Sequence, residues 1–428
     1  MHLTYRRTCR ICGSAALTKV IDLGTQYLQG SFVGADGKLP PLRKIDTSLV
    51  RCDPTRDEKA CGLLQMTVSV PPAILYADYW YRSGTNRTMT DHLHGIADEI
   101  SGMINKPAAR VLDIGCNDGT LLSRYPKNAV RYGIDPSDAA NSVPDDVQVV
   151  NDLFPSEQLN GLTRGKLFDA ITSIAMFYDL EDPTGFARAI KQHLAQDGVW
   201  CFEMSYMPMM LKNNSYDTIC HEHLEYYSLA VLEYILRQAS MKVVRVSLND
   251  SNGGSIRIHA THSDNFCFDG DAQAMASIRE LRQSEFDLQL DTDEPYRNFQ
   301  DTIEKHKTEL SSLLRRLKAQ GKKVHIYGAS TKGNTILQTC GINHTLIDCA
   351  AERNPKKFGG HTLGTNIPIV SEADSRARRP DYYLVLPWHF KTEFLEREQA
   401  MLDDGVGFIF PLPTIEVITG RKAAKHAA

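Results

Sequence analysis

The sequence predicts an α/β protein in which a Rossmann-like domain is flanked by a small N-terminal zinc-binding module and a C-terminal Rossmann-like α/β domain. Three observations lead there. A strand, a glycine loop and a helix start follow one another in ARVLDIGCNDGTLL (109–122). A second unit of that kind lies in KKVHIYGASTKGNTILQ (322–338), and four cysteines precede both.

In the first unit Val111, Leu112, Asp113 and Ile114 read as a short buried strand, Gly115 and Gly119 as a tight loop, and TLLSRY as a helix start. That geometry lets backbone approach an anionic or polar cofactor closely. The G-x-x-x-G spacing differs from the G-x-G-x-x-G of dinucleotide sites. The next strand, RYGIDP, ends at Asp135, whose carboxylate can accept hydrogen bonds from two ribose hydroxyls. Loop and acid together indicate an adenosine cofactor, and S-adenosylmethionine suits the spacing better than NAD; the alternative is an ordinary α/β turn.

A chain of 428 residues, 42% hydrophobic and 23% charged, suits a globular enzyme of two or three domains. A net charge of −4 argues against a nucleic-acid partner. No apolar run reaches about 18 residues, so no membrane partner is expected. The start, MHLTYRRTCRICG, lacks the apolar stretch of a signal peptide, and a cytoplasmic location follows. In that reducing setting the ten cysteines point to metal binding or burial and not to disulfides.

Cys9 and Cys12 form C-x-x-C, a knuckle that suits tetrahedral Zn²⁺, and Cys52 and Cys61 complete an all-thiolate set. A closed four-thiolate site has no open position, so this metal is structural. A redox pair or free thiols is the alternative, weakened because no βαβ pattern surrounds Cys9. The other six cysteines show no metal spacing.

Residues 1–70 read as the zinc module, 71–264 as the cofactor domain, 265–415 as the second α/β domain and 416–428 as a tail. RVLDIG, RYGIDP, QVVNDLF, DAITSIAMF and VWCFEMSYM are strands of a parallel sheet, and NGGSIRIHATHS is a strand near a domain edge. Phe299, Ile303, His306, Leu310, Leu313 and Leu317 mark an amphipathic helix used for packing.

SYDTICHEHLEYYSL (215–229) concentrates His221, Glu222, His223, Glu225, Tyr226 and Tyr227 just after a strand, at the sheet edge where ligands bind. Histidine is a general base near neutral pH, and a carboxylate beside it can orient it. The two histidines are too close for a zinc-protease helix. From these residues alone a catalytic cluster and a hydrogen-bonded structural pair stand level. In the second glycine loop Ser330, Thr331, Lys332, Gly333 and Asn334 suit a diphosphate cradle, or a helix cap with a solvated lysine. Trp388, His389 and Lys391 line the same cleft or pack the domain.

Along nearly its whole length the chain resembles the sugar C-methyltransferases that act on nucleotide-linked keto-sugars. The likeness rests on the ordered set C-x-x-C…C…CGLLQ, DIGCNDGTLL, DTICHEHLEYYS and YGASTKGNTILQ…ERNP…LVLPWHF. It implies a class I Rossmann-like methyltransferase domain, S-adenosylmethionine as cofactor with structural Zn²⁺, and a C-terminal domain that helps hold a nucleoside diphosphate 4-keto-hexose. It further implies methylation at the sugar 3-carbon by a monomer or weak homo-oligomer. Residue by residue it assigns Gly115, Cys116, Asn117, Asp135, Pro136 and Asp152 to the cofactor. It makes His223 the base, with Glu222 beside it, and gives an active-site tyrosine role to Tyr79 or Tyr81. Two positions depart from the pattern: Cys220 stands where some members carry tyrosine, and AMFYDL has no histidine at the end of the fourth strand. A sugar O-methyltransferase of the same fold, a zinc-finger RNA methyltransferase and a non-catalytic cofactor-binding assembly protein are the competing readings.

Overall fold

The computed structural model describes residues 2–75 and 82–420; Tyr79 and Tyr81 lie outside them. The N-terminal module is built on an antiparallel sheet of β1 (Leu17–Gln26), β2 (Ile45–Cys52) and β3 (Leu64–Met66). Helix α1 (Arg87–Ile104) leads into the middle domain. The Asn86 side chain caps its first turn, Leu93, Ile96, Ala97 and Ile100 bury one face, and Asn105 ends it in the left-handed region at φ 41°.

The middle sheet comprises β4 (Arg110–Ile114), β5 (Val130–Ile134), β6 (Gln148–Val150), β7 (Phe168–Ile174) and β8 (Leu194–Ser205), with helix α2 (Thr120–Arg124) after β4. After β9 (Glu225–Tyr226), a strand that leaves this sheet, come β10 (Met241–Asn249) and β11 (Ser255–His262). The seven strands run β10-β11-β8-β7-β4-β5-β6, parallel except for β11, which is antiparallel to both neighbours. Strand order reverses between β4 and β7, which opens a crevice at their C-terminal ends. The strand expected near a domain edge, within 252–263, forms over 255–262 one place inside the sheet edge, and β10 covers it. MKVVRVSLN interleaves polar and apolar residues as an outer strand with one wet face does.

Helix α3 (Glu294–Ala319) buries Tyr296, Phe299, Ile303, His306, Leu310, Leu314 and Leu317. Its stripe fills a core that takes Ile21, Leu49, Leu64 and Met66 from the N-terminal module and Val324, Ile326, Leu384 and Phe408 from the C-terminal sheet. That sheet is β12 (Val324–Tyr327), followed by helix α4 (Thr331–Thr339), then β13 (Ala350–Glu352), β14 (Ile369–Ser371), β15 (Tyr382–Val385), β16 (Gly407–Phe410) and β17 (Glu416–Ile418). Its order is β14-β13-β12-β15-β16-β17, parallel but for the last strand. The expected tail from 416 therefore begins as sheet: Ile418 pairs with Phe408, which continues the domain three residues past its expected end. Order reverses here between β12 and β15, giving this domain its own crevice.

The three units are sewn together. Phe32–Val33 pairs with His361–Thr362, and β9 adds to β3 as the fourth strand of the module's sheet.

Candidate active site

Cys9 and Cys12 stand on a turn closed by Gly13 N–H donating to Cys9 O (3.0 Å), Cys52 ends β2, and Cys61 lies in the loop before β3. Their four sulfurs lie within 4.8 Å of one another, with Cys9–Cys61 at 3.5 Å and Cys12–Cys52 at 3.4 Å. Zn–S bonds of ~2.3 Å in a tetrahedron space sulfurs by roughly 3.8 Å, so the set fits one zinc ion and is far too open for disulfides. Thiol hydrogen bonds from Cys52 and Cys61 hold Cys9 down to about 2, and one from Cys61 holds Cys12 down to about 6; the same bonds push Cys61 up. The knuckle is thus poised as thiolate, the form that ligates metal.

The loop after β4 turns through Gly115 (φ 72°), Asn117 (φ 52°) and Gly119 (φ 76°). A Cβ on Gly115 would come within 3.3 Å of Met176 Cγ, from the loop after β7, so glycine keeps the crevice mouth open. Asp135 follows β5 and is 6% exposed; its Oδ2 accepts from Asn117 N–H (2.9 Å) and its Oδ1 from Ser137 N–H (2.8 Å). The carboxylate pins the loop, and because Ser137 Oγ also donates to Oδ1 (2.5 Å), Oδ2 alone keeps a lone pair for a further donor. Pro136 beside it is exposed. Cys116 packs its sulfur inward against Gly133, where a Cβ would come within 2.7 Å of it, so the main chain of Cys116 is the part left for a ligand. Asp152 accepts from Leu153 N–H (2.8 Å) and Ser156 Oγ (2.6 Å), and the Ser156 hydroxyl holds its pKa low. Beneath the loop Asp113 is pushed up to about 7 by burial and accepts from Thr172 Oγ1 (2.6 Å). Glycine loop, acid and open crevice together fit S-adenosylmethionine.

The segment 216–226 is held by all three units. From the N-terminal module, Gln29 Oε1 accepts from His221 N–H (3.2 Å) and Nδ1 (2.6 Å), and Arg10 Nε, inside the cysteine knuckle, lies 3.6 Å from Glu225 Oε1. From the middle domain, Leu224 N–H donates to Tyr178 O (2.8 Å). From the C-terminal domain, Trp388 Nε1 donates to Asp217 Oδ2 (2.8 Å) and Thr335 Oγ1 to Ile219 O (3.4 Å).

The two histidines are thereby given different work. His221 is 1% exposed, bonded at both ring nitrogens, to Gln29 and to Thr47 Oγ1 (3.4 Å), and lowered to about 4 by burial. His223 is half-buried, and its Nδ1–H donates to Thr218 O at 2.7 Å, which fixes the tautomer and leaves the Nε2 lone pair as acceptor. Burial, and then the Lys332 cation, lower its pKa to about 3, so the ring is neutral at physiological pH. The Tyr178 ring lies against it at 4.2 Å between centroids. Tyr178 comes from AMFYDL, at the end of β7, and aromatic identity at that strand end was the one sequence signal for it. Glu222 is half-buried, and burial pushes it up to about 7. Cys220 is fully buried, and burial pushes its thiol up, so its position holds a packing residue and no ionised group.

In the C-terminal glycine loop Ser330 Oγ caps α4 by accepting from Gly333 N–H (3.1 Å), and Thr331 stands half-buried beside it. Lys332 Nζ reaches across to the middle domain and donates to Asn252 O (2.5 Å). Asn334 is turned away: it is 1% exposed and its amide donates to Gln29 O (2.7 Å), so the structure removes it from the ligand-facing set. The structure thus sets Glu222 and Thr331 around Gly30, where a Cβ would meet both, and leaves Asn334 as interdomain packing.

Three family models match in order along the chain. Residues 9–76 match the family described as "Putative zinc binding domain", 81–246 "Methyltransferase domain" and 250–413 "C-methyltransferase C-terminal domain". The chain is 28% identical over 418 residues to the C-methyltransferase NovU of Streptomyces niveus, covering 96% of each. Among solved structures it is similar to magnesium protoporphyrin IX methyltransferase (ChlM) of Synechocystis PCC 6803 with bound SAM, at 13% identity, TM-score 0.32, 41% of this chain and 79% of that one. It is also similar to an S-adenosylmethionine-dependent methyltransferase of Clostridium acetobutylicum ATCC 824, at 14% identity, TM-score 0.33, 40% of this chain and 92% of that one. A four-cysteine module, an S-adenosylmethionine-binding methyltransferase domain and a C-methyltransferase C-terminal domain, in that order, identify a methyltransferase that is similar along its length to a C-methyltransferase.

Proposed function

We propose that the chain methylates a carbon, the 3-carbon, of a nucleotide-linked 4-keto-deoxysugar. The observation that carries this reading is His223: a neutral imidazole with Nδ1 anchored and Nε2 open, at the crevice where β7 ends. Carbon methylation needs such a base, because the hydrogen next to a ketone must leave before carbon becomes nucleophilic. The ordered motifs of sugar C-methyltransferases support the sugar.

When bound, S-adenosylmethionine supplies the methyl group as an electrophilic sulfonium. Gly115, Cys116 and Asn117 would hold it through main chain, and Asp135, Pro136 and Asp152 would hold its ribose and adenine. His223 Nε2 removes the proton beside the ketone, while Thr218 O stabilises the imidazolium through Nδ1–H. Tyr178 packs on the ring and limits its rotation. Glu222, pushed up to about 7 by burial, bonds a substrate hydroxyl, and the resemblance to sugar C-methyltransferases gives the active-site tyrosine role to Tyr79 or Tyr81. The N-terminal turn of α4, at Ser330 and Thr331, holds the diphosphate. Fixing both reactants in one cleft supplies much of the rate.

The test is mass spectrometry of the product from a nucleoside diphosphate 4-keto-6-deoxyhexose deuterated at the 3-carbon. Gain of a methyl with loss of deuterium is expected. Gain of a methyl with deuterium retained would mean attack from oxygen and would overturn carbon methylation.

A further inference from the structure

We propose that the Lys332 ammonium faces the substrate oxygen on which negative charge develops as His223 takes its proton. This rests on the reaction read above and assigns Lys332 to the chemistry, whereas the glycine-loop pattern had placed it on the diphosphate.

The geometry comes from the joint between the domains: a Cβ on Gly30 would meet both Glu222 Oε1 (1.8 Å) and Thr331 Oγ1 (3.4 Å), so the residue before Lys332 lies beside the residue before His223. Tyr178 and His223 border the crevice between β4 and β7 of the middle sheet. Lys332, after β12, and Trp388 with His389, after β15, border the one in the C-terminal sheet. Lys332 spans the gap by donating to Asn252 O (2.5 Å) in the turn between β10 and β11. Trp388 packs under the same turn, where a Cβ on Gly253 would come within 2.9 Å of its ring, and bonds Asp217 on the His223 segment. An ammonium has three donors, so two N–H groups remain once Asn252 is served.

Charge supports the assignment. Burial, and then Lys332 itself, lower both His223 and His389 to about 3, so neither ring is a cation at neutral pH. Burial also lowers Lys332, and the fully buried Asp217 opposes this. Asp217 keeps one oxygen without a hydrogen-bond partner, and burial raises its pKa while Lys332 and the Trp388 hydrogen bond work against that rise. Among these three side chains only Lys332 has an acid beside it that favours its charged form, Asp217. In the step itself the C–H bond breaks and its proton passes to His223 Nε2. The electron pair forms the C=C bond, and the carbonyl π pair moves to oxygen, where the ammonium meets it. A donor placed for such an oxyanion contributes about 10²–10³ in turnover.

Lys332→Met and Lys332→Arg test this, each checked by thermal melting. With the deuterated ketosugar, Lys332→Met is expected to lower kcat and deuterium washout together by about 10²–10³-fold, with KM within a few-fold, and Lys332→Arg to recover part of the loss. A raised KM with unchanged kcat would return Lys332 to the diphosphate and overturn the proposal. A second readout needs no substrate: histidine-labelled NMR, with the His223 signal assigned from His223→Ala. Its pKa should rise in Lys332→Met, because a neighbouring cation is gone; an unmoved pKa overturns the proposal. If the wild-type protein washes out no deuterium, the ketosugar reading fails, and the His223 titration decides on Lys332 alone.

Discussion

Glu225 pairs with Gln65 in antiparallel register, so the strand that begins two residues after His223 belongs to the sheet carried by the cysteine module. Arg10, between Cys9 and Cys12, lies against the same Glu225. Two contacts thus connect the cysteine module to the segment that carries His223.

Zinc removal should therefore silence the enzyme without emptying the methyl-donor crevice. Elemental analysis should find one zinc per chain. Cys12→Ser should lose zinc and melt earlier, with turnover down about tenfold or more, while calorimetry still shows S-adenosylmethionine binding. Full turnover in a zinc-free protein would break the proposed link.

His223→Ala removes the base and leaves the loop after β4 untouched. Turnover should fall by about 10²–10⁴-fold, with S-adenosylmethionine affinity unchanged. Loss of cofactor binding instead would mean that the residue is structural.

Gly30 is fixed by a close approach. A Cβ there would sit 1.8 Å from Glu222 Oε1, so Gly30→Ala must move either that carboxyl or the loop before Phe32. Overpacking of this kind costs about 1–3 kcal/mol. Lower stability, read in denaturant, should accompany a higher KM for the acceptor; wild-type values for both would show that the site yields freely.

His221 makes stability depend on acid. Burial lowers its pKa in the folded protein from the ordinary 6.5 to about 4, so between those values the unfolded chain binds more protons there. Its contribution is complete above pH 6.5 and is lost as pH falls toward 4, by up to about 1.4 kcal/mol per pH unit. Glu222 runs the other way: raised from 4.5 to about 7, it stabilises fully below 4.5 and ceases to as pH rises through 7. Denaturant titrations from pH 7 to 5 should give a shallower slope for His221→Gln than for wild type. Identical slopes would remove His221 from the acid response.

Local pattern made much of this legible. The apolar run Val111–Ile114, the glycines at 115 and 119 and Asp135 announce a crevice in one continuous stretch, because the loop, the strands and their register are neighbours in sequence. The Cys9–Cys12 knuckle is equally local. What sequence could not separate were His221 and His223. Their roles are set by Gln29 and Thr47 on one side and Thr218 and Tyr178 on the other, two of these more than 170 residues distant. Asn334 and Lys332 share the first turn of α4 but point to different domains, at Gln29 and Asn252. Helical periodicity fixes the face of a residue and not which domain that face meets. Strand β17 went unread because Glu416–Ile418 has too few residues to show an alternation.

The pairing of Phe32–Val33 with His361–Thr362 bears on any attempt to recombine such proteins. Grafting a foreign C-terminal domain to redirect acceptor choice would cut this seam, strip Gln29 of its Asn334 partner and unseat the segment that carries His223. A chimera should keep residues 26–34 with the C-terminal half that they grew against. The unit of exchange is the first and third segments together, with the methyl-donor domain as the insert.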